Sequence, residues 1–101
     1  LAAAEAVILR VRGELATRLE RLTRLGGDPR WLDFRDTEDC ARRIAGCARQ
    51  IGLTSLAHVA SDVASCASAR DGPALAATLA RLLRIGDRSL AETLDSRGLS
   101  G

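Results

Sequence analysis

Cys40-Ala41-Arg42-Arg43-Ile44-Ala45-Gly46-Cys47-Ala48-Arg49-Gln50-Ile51-Gly52-Leu53 is the stretch on which the reading of this chain turns. With Ile44 at the centre of a helical face and about 100° added per residue, Cys40, Cys47, Ala48 and Ile51 fall within about 60° of it. These positions make a narrow buried stripe of mostly small side chains. Arg42, Gly46 and Arg49 lie on the opposite side, with Ala45 at the edge of that exposed strip. Gly52 follows the last periodic residue, where a glycine commonly ends a helix. Glycine in an exposed helix interior costs roughly 1 kcal/mol relative to alanine. Gly46 is therefore either compensated by the close approach of another group or tolerated because packing holds the helix.

The same period extends outward in both directions. Over residues 1–26, Ile8, Val11, Leu15, Leu19 and Leu22 recur at steps of three and four, and Gly13 marks a bend or restart. Gly26-Gly27-Asp28-Pro29 stops that segment. A connector over 30–36 carries the two aromatic residues, Trp31 and Phe34, expected to plug one end of the core. A second helix is expected over 37–51, capped by Asp36 or Thr37, with Glu38 and Asp39 favourably placed for its dipole. A third over 53–69 places Leu56, Val59, Ala60, Val63 and Ala67 on one face. Asp71 caps a fourth over 72–95, with Pro73 in its tolerant first turn. Leu75, Leu79, Leu82, Leu83, Leu90 and Leu94 form its buried side, and Gly86 is a close contact or a break. The tail from Ser96 to Gly101 is expected to fray. Four amphipathic helices on short turns predict one all-α domain spanning 1–101, an antiparallel four-helix bundle.

Composition narrows the function. Alanine (18) and leucine (16) supply a third of the 101 residues and aromatics only 2%, which favours packed helices over a β-sandwich. All fifteen basic residues are arginine, against thirteen acidic ones, so a net charge of +2 gives no bulk attraction to nucleic acid or anionic lipid. Arg10, Arg12, Arg18, Arg21 and Arg24 form a basic edge, but Glu14 and Glu20 interleave it and no aromatic stands ready to stack on bases. The longest uncharged run, Gln50 to Ser61, is twelve residues, too short for a bilayer span of about 20. The first residues lack the basic start and apolar centre of a signal peptide, so a cytoplasmic setting is expected. Cys40, Cys47 and Cys66 form no Cys-x-x-Cys pair and stand with a single histidine, which predicts small buried thiols and no metal site. A glycine-rich phosphate loop and a Ser/His/Asp set are both missing, so neither enzymatic activity nor a cofactor is expected. Val7 and Leu9 fall outside the first helix's main stripe, which leaves a homodimer open beside a monomer.

The 40–53 segment resembles the phosphoacceptor helix of histidine-containing phosphotransfer (HPt) domains, whose pattern is Ala-His-x-Leu-Lys-Gly-x-Ala-x-x-x-Gly. Ala41, Ile44, Gly46, Ala48, Ile51, Gly52, Leu53 and Leu56 fall on that skeleton. The likeness extends over roughly 30–95, with the first helix matching in outline. It implies an HPt-like four-helix bundle in a two-component or phosphorelay system, with a response-regulator receiver domain or a sensor kinase as partner. Arg42 stands where the family has its phosphorylated histidine, and Ala45 where it has a lysine. A guanidinium stays protonated and is no nucleophile near neutral pH, so the resemblance implies docking without phosphate transfer. The docking strip is then Arg42, Ala45, Gly46 and Arg49. Arg42 would meet the receiver's acidic pocket, or else pair with Glu38 one turn earlier.

His58 is the single histidine and the alternative phosphoacceptor. It lies about 160–180° from the apolar centre of its helix, so exposure is expected. Asp62, one turn on, would repel a phosphoryl anion, which favours a plain surface histidine. A structural or dimerising bundle unrelated to signalling is the remaining reading.

Overall fold

The computed structural model describes residues 2–26 and 33–96, which form α1 (Ala2–Leu25), α2 (Phe34–Gln50), α3 (Thr54–Ser68) and α4 (Gly72–Ser96). No strand occurs among the described residues. The stripes converge on one core in which Val11, Leu15, Leu22, Ile44, Leu56, Val63, Leu75 and Leu82 are essentially inaccessible to solvent. Ile51 and Leu83, expected to be fully buried, pack at its margin.

Cross-helix contacts fix the direction of each element. Cys40 Sγ donates to the Arg18 carbonyl at 3.3 Å, and Cys47 Sγ faces Glu14 Oε2 at 3.9 Å. As α2 advances α1 recedes, so the two run antiparallel. Along α1 and α4, Gly26 meets Leu79, Leu19 meets Gly86, and the Arg12 guanidinium donates to the Leu90 carbonyl at 3.2 Å, again in opposite order. Each helix packs on its successor, α4 returns to α1, and the α2–α3 contact is the most extensive.

The first turn of α2 departs from expectation. The helix begins at Phe34, not at 37, because Asp33 rather than Asp36 or Thr37 is its cap. Asp33 Oδ1 accepts the Asp36 amide at 3.0 Å. Thr37 is buried instead, its hydroxyl unpartnered. Phe34 therefore belongs to α2 rather than to a connector, and its ring lies 5.8 Å from the Arg70 guanidinium. Trp31, residues 27–29, the side chain of Leu94 and the chain beyond Ser96 lie outside the described residues.

Both inner turns close by the same device. After α2, Leu53 N–H donates to the Ala48 carbonyl and Gly52 N–H to that of Arg49, with Gly52 left-handed at φ 78°. After α3, Asp71 and Arg70 bond back to Cys66 and Ala67 in the same pattern, with Arg70 in the left-handed role at φ 56°. Asp71 then caps α4 as expected, its Oδ1 accepting the Ala74 amide at 3.1 Å.

Two helical glycines have opposite roles. α1 runs unbroken through Gly13, where an added Cβ would meet nothing within 4 Å. At Gly86 an added Cβ would sit 2.8 and 2.9 Å from the two terminal methyls of Leu19, so this glycine is a close α4–α1 contact and not a break. Gly13→Ala is expected to stabilise the fold by about 0.5–1 kcal/mol through helix propensity. Gly86→Val is expected to destabilise it by about 1–3 kcal/mol through overpacking against Leu19. Urea melts of both variants against wild type check the pair.

Candidate functional site

The outward face of α2 is built by the same register that buries its core stripe. Arg42, Gly46 and Arg49 are all exposed, as the helical period required. Ala45 is not: it is only 3% accessible. The reason is where α3 sits. Ala41, Ala45 and Ala48 occupy one flank of α2, and the Arg49–Ser61 hydrogen bond places α3 on that flank. Ala45 thus belongs to the α2–α3 interface, and the exposed strip reduces to Arg42, Gly46 and Arg49.

The two arginines differ in charge environment. Arg42 is held by Glu38, with Nη2 2.8 Å and Nε 3.0 Å from the same carboxylate oxygen. This is the local pairing open from the sequence. Its side chain remains 60% accessible, so the pair contributes only about 0.3–0.5 kcal/mol and can be exchanged for a stronger partner. Arg49 instead donates from Nη2 to Ser61 Oγ at 3.1 Å and meets no carboxylate among the described residues. Between them, a Cβ added to Gly46 would find nothing within 4 Å. No neighbouring group of the described chain accounts for a glycine there.

His58 is exposed, as expected. The structure places it beside the α2 strip, which sequence reasoning had not joined to it. With Arg49, Thr54 and Ala57 it lines a cavity of about 250 Å³ between the end of α2 and the start of α3. Thr54 and Ser61 went unnoticed as site residues because only the α2–α3 register brings them near Arg49. Among the described residues, no three His, Cys, Asp or Glu side chains gather where they could hold a metal ion. No described helix is long and apolar enough to cross a membrane.

The cysteines lie on other faces. Cys40 and Cys47 are buried against α1, while Cys66 is half-exposed on α3. Burial pushes the Cys40 thiol above its ordinary value, outweighing the opposing pull of Arg18, Arg21 and Arg43. Neither family models, nor curated proteins, nor solved structures gave any match to this chain.

A raised thiol pKa leaves less thiolate at neutral pH, and burial limits access. Cys66 is therefore expected to react first with a thiol-specific reagent at pH 7.5, with Cys40 and Cys47 lagging until the protein is denatured. Mass spectrometry of timed alkylation checks the order.

Proposed function

We propose that this chain is an HPt-like four-helix bundle that docks its α2 face on a response-regulator receiver domain or a sensor kinase without carrying phosphate itself. The observation that carries the reading is the placement of Gly46, a mid-helix glycine with open space where its side chain would be, as at Gly13, but set between the exposed Arg42 and Arg49. Such a residue weakens its helix by roughly 1 kcal/mol and gains nothing inside the described chain. A partner that approaches the α2 backbone closely supplies the compensation.

Arg42 and Arg49 flank that approach. The Arg42–Glu38 pair is solvent-exposed, so a receiver carboxylate can take over the guanidinium at little cost. Arg49 brings a positive charge that no carboxylate of the described chain neutralises. Arginine at the acceptor position supports docking over transfer, because it offers charge and hydrogen bonds but no nucleophile.

A second reading rests on a different observation. Val7 and Leu9, at 46% and 47% accessibility, are large apolar side chains left open on α1, which supports a self-associating helical module. Concentration-dependent sedimentation of wild type against Val7→Ser/Leu9→Ser distinguishes it from a monomeric docking domain.

Gly46→Gln is expected to raise thermal stability by several tenths of a kcal/mol while blocking the partner, since the bulk points outward from an intact fold. Arg42→Glu is expected to weaken binding through repulsion, with the loss shrinking at high salt. Titration against receiver domains from the same organism, with melting followed in parallel, is the measurement. Unchanged affinity in both variants would remove α2 from the interface.

Phosphoryl transfer gives a separate check. Incubation with a phosphorylated receiver is expected to leave no acid-labile label on this chain. A label present in wild type and absent from His58→Ala would instead make His58 a true acceptor.

A further inference from the structure

The cavity between α2 and α3 joins Arg49 of the exposed α2 strip to polar groups of α3 that lie outside that strip. Its walls are Arg49 from the last turn of α2, and Thr54, Ala57 and His58 from the first turns of α3. At about 250 Å³ it is several times the roughly 30 Å³ that one liquid water occupies, so a small hydrated anion has room. The polar lining is a guanidinium, an imidazole and a hydroxyl, every one able to donate a hydrogen bond. Among the described residues no carboxylate lines it: Asp62, one turn beyond His58, is not among the walls, and Glu38 is occupied with Arg42.

Arg49 is the deciding residue. Arg21, Arg24 and Arg42 each stand within 4 Å of a carboxylate oxygen, at 3.8, 3.8 and 2.8 Å. Among the described residues Arg49 meets no carboxylate and has only the Ser61 hydroxyl, at 3.1 Å. That bond holds the guanidinium across the α2–α3 junction, beside His58. A hydroxyl accepts one N–H and neutralises no charge, which leaves the guanidinium with donors to spare. A guanidinium with an adjacent imidazole and hydroxyl suits a multi-oxygen anion better than a chloride, because several donors reach separate oxygens.

We propose that Arg49, Thr54 and His58 form a binding site for a phosphate-sized oxyanion, either free or carried on a side chain of a partner. The site shares Arg49 with the exposed α2 strip, but Gly46 and Arg42 do not line it, so substitutions at those two positions tell the two surfaces apart. Arg49 supplies the charge, His58 a second donor, and Thr54 the hydroxyl.

The test is a two-dimensional NMR titration of the whole chain at constant ionic strength, with three probes: inorganic phosphate, a phosphoserine hexapeptide and the same peptide without phosphate. Saturable shifts in the millimolar range, centred on Arg49, Thr54, Ala57 and His58, are expected with the phosphorylated probes. Arg49→Gln should weaken binding at least tenfold and His58→Gln a few-fold, while Arg42→Gln and Gly46→Gln leave it unchanged. Circular dichroism melts confirm that each variant is folded. Tighter binding of the phosphopeptide than of inorganic phosphate would assign the anion to a partner side chain, and the reverse order would assign it to a free ion. Shifts spread evenly over the surface arginines, or phosphate binding that survives Arg49→Gln, would overturn the proposal. Loss of receiver docking in Gly46→Gln with phosphate binding intact would separate the two sites.

Discussion

Alanine facing α3 sets the spacing on which the rest of the molecule depends. Ala41, Ala45 and Ala48 on α2, with Ala57, Ala60, Ala64 and Ala67 buried on α3, leave little side-chain thickness between two backbones. The pair is accordingly the most extensively packed in the molecule. Larger residues, Ile44, Leu56 and Val63, are fully buried in the common core. Helix pairs joined through small residues approach toward the short end of the usual 8–10 Å range. Close approach brings the polar rims of α2 and α3 within hydrogen-bonding reach, as the Arg49–Ser61 bond records.

That geometry separates two arginines that look alike in the sequence. Arg42 has an acidic residue one turn back on its own helix and is neutralised locally. Arg49 has no such neighbour and leans across the junction onto a hydroxyl. Both are exposed, but their capacity to attract an anion differs. A surface charge gains value for recognition when its own fold leaves it unpaired, because a partner then displaces only water and a weak hydrogen bond.

Much of this was legible in the chain. The stripes through Val11, Leu15 and Leu22, through Ile44, and through Leu75 and Leu82 follow from period alone, since steps of three and four leave one consistent face. The Arg42–Glu38 pair was open from i,i+4 spacing. Two failures have clear causes. Asp33, Asp36 and Thr37 are all good caps, and which one starts α2 depends on where Phe34 packs, a tertiary matter. Ala45 sits about 100° from Ile44, and a helical wheel drawn on one helix does not say on which flank the next helix lies. The nearness of His58 to Arg49 was hidden for the same reason. It belongs to neither helix alone and appears only with the α2–α3 register.

The turn between α2 and α3 has a consequence for the order of assembly. Only Ile51, Gly52 and Leu53 separate these helices, so their contacts close a very short loop at small entropic cost. The α1–α4 seam joins segments most of a chain length apart, through contacts such as the 78-residue span from Arg12 to Leu90, and is the sparsest of the four interfaces. Loop-closure entropy therefore favours early pairing of α2 with α3 and late closure of the α1–α4 seam. By the same argument α1 and α4 are expected to part before the hairpin does, so backbone amides of Ala41 to Ala48 should be protected from deuterium exchange longer than those of the outer helices.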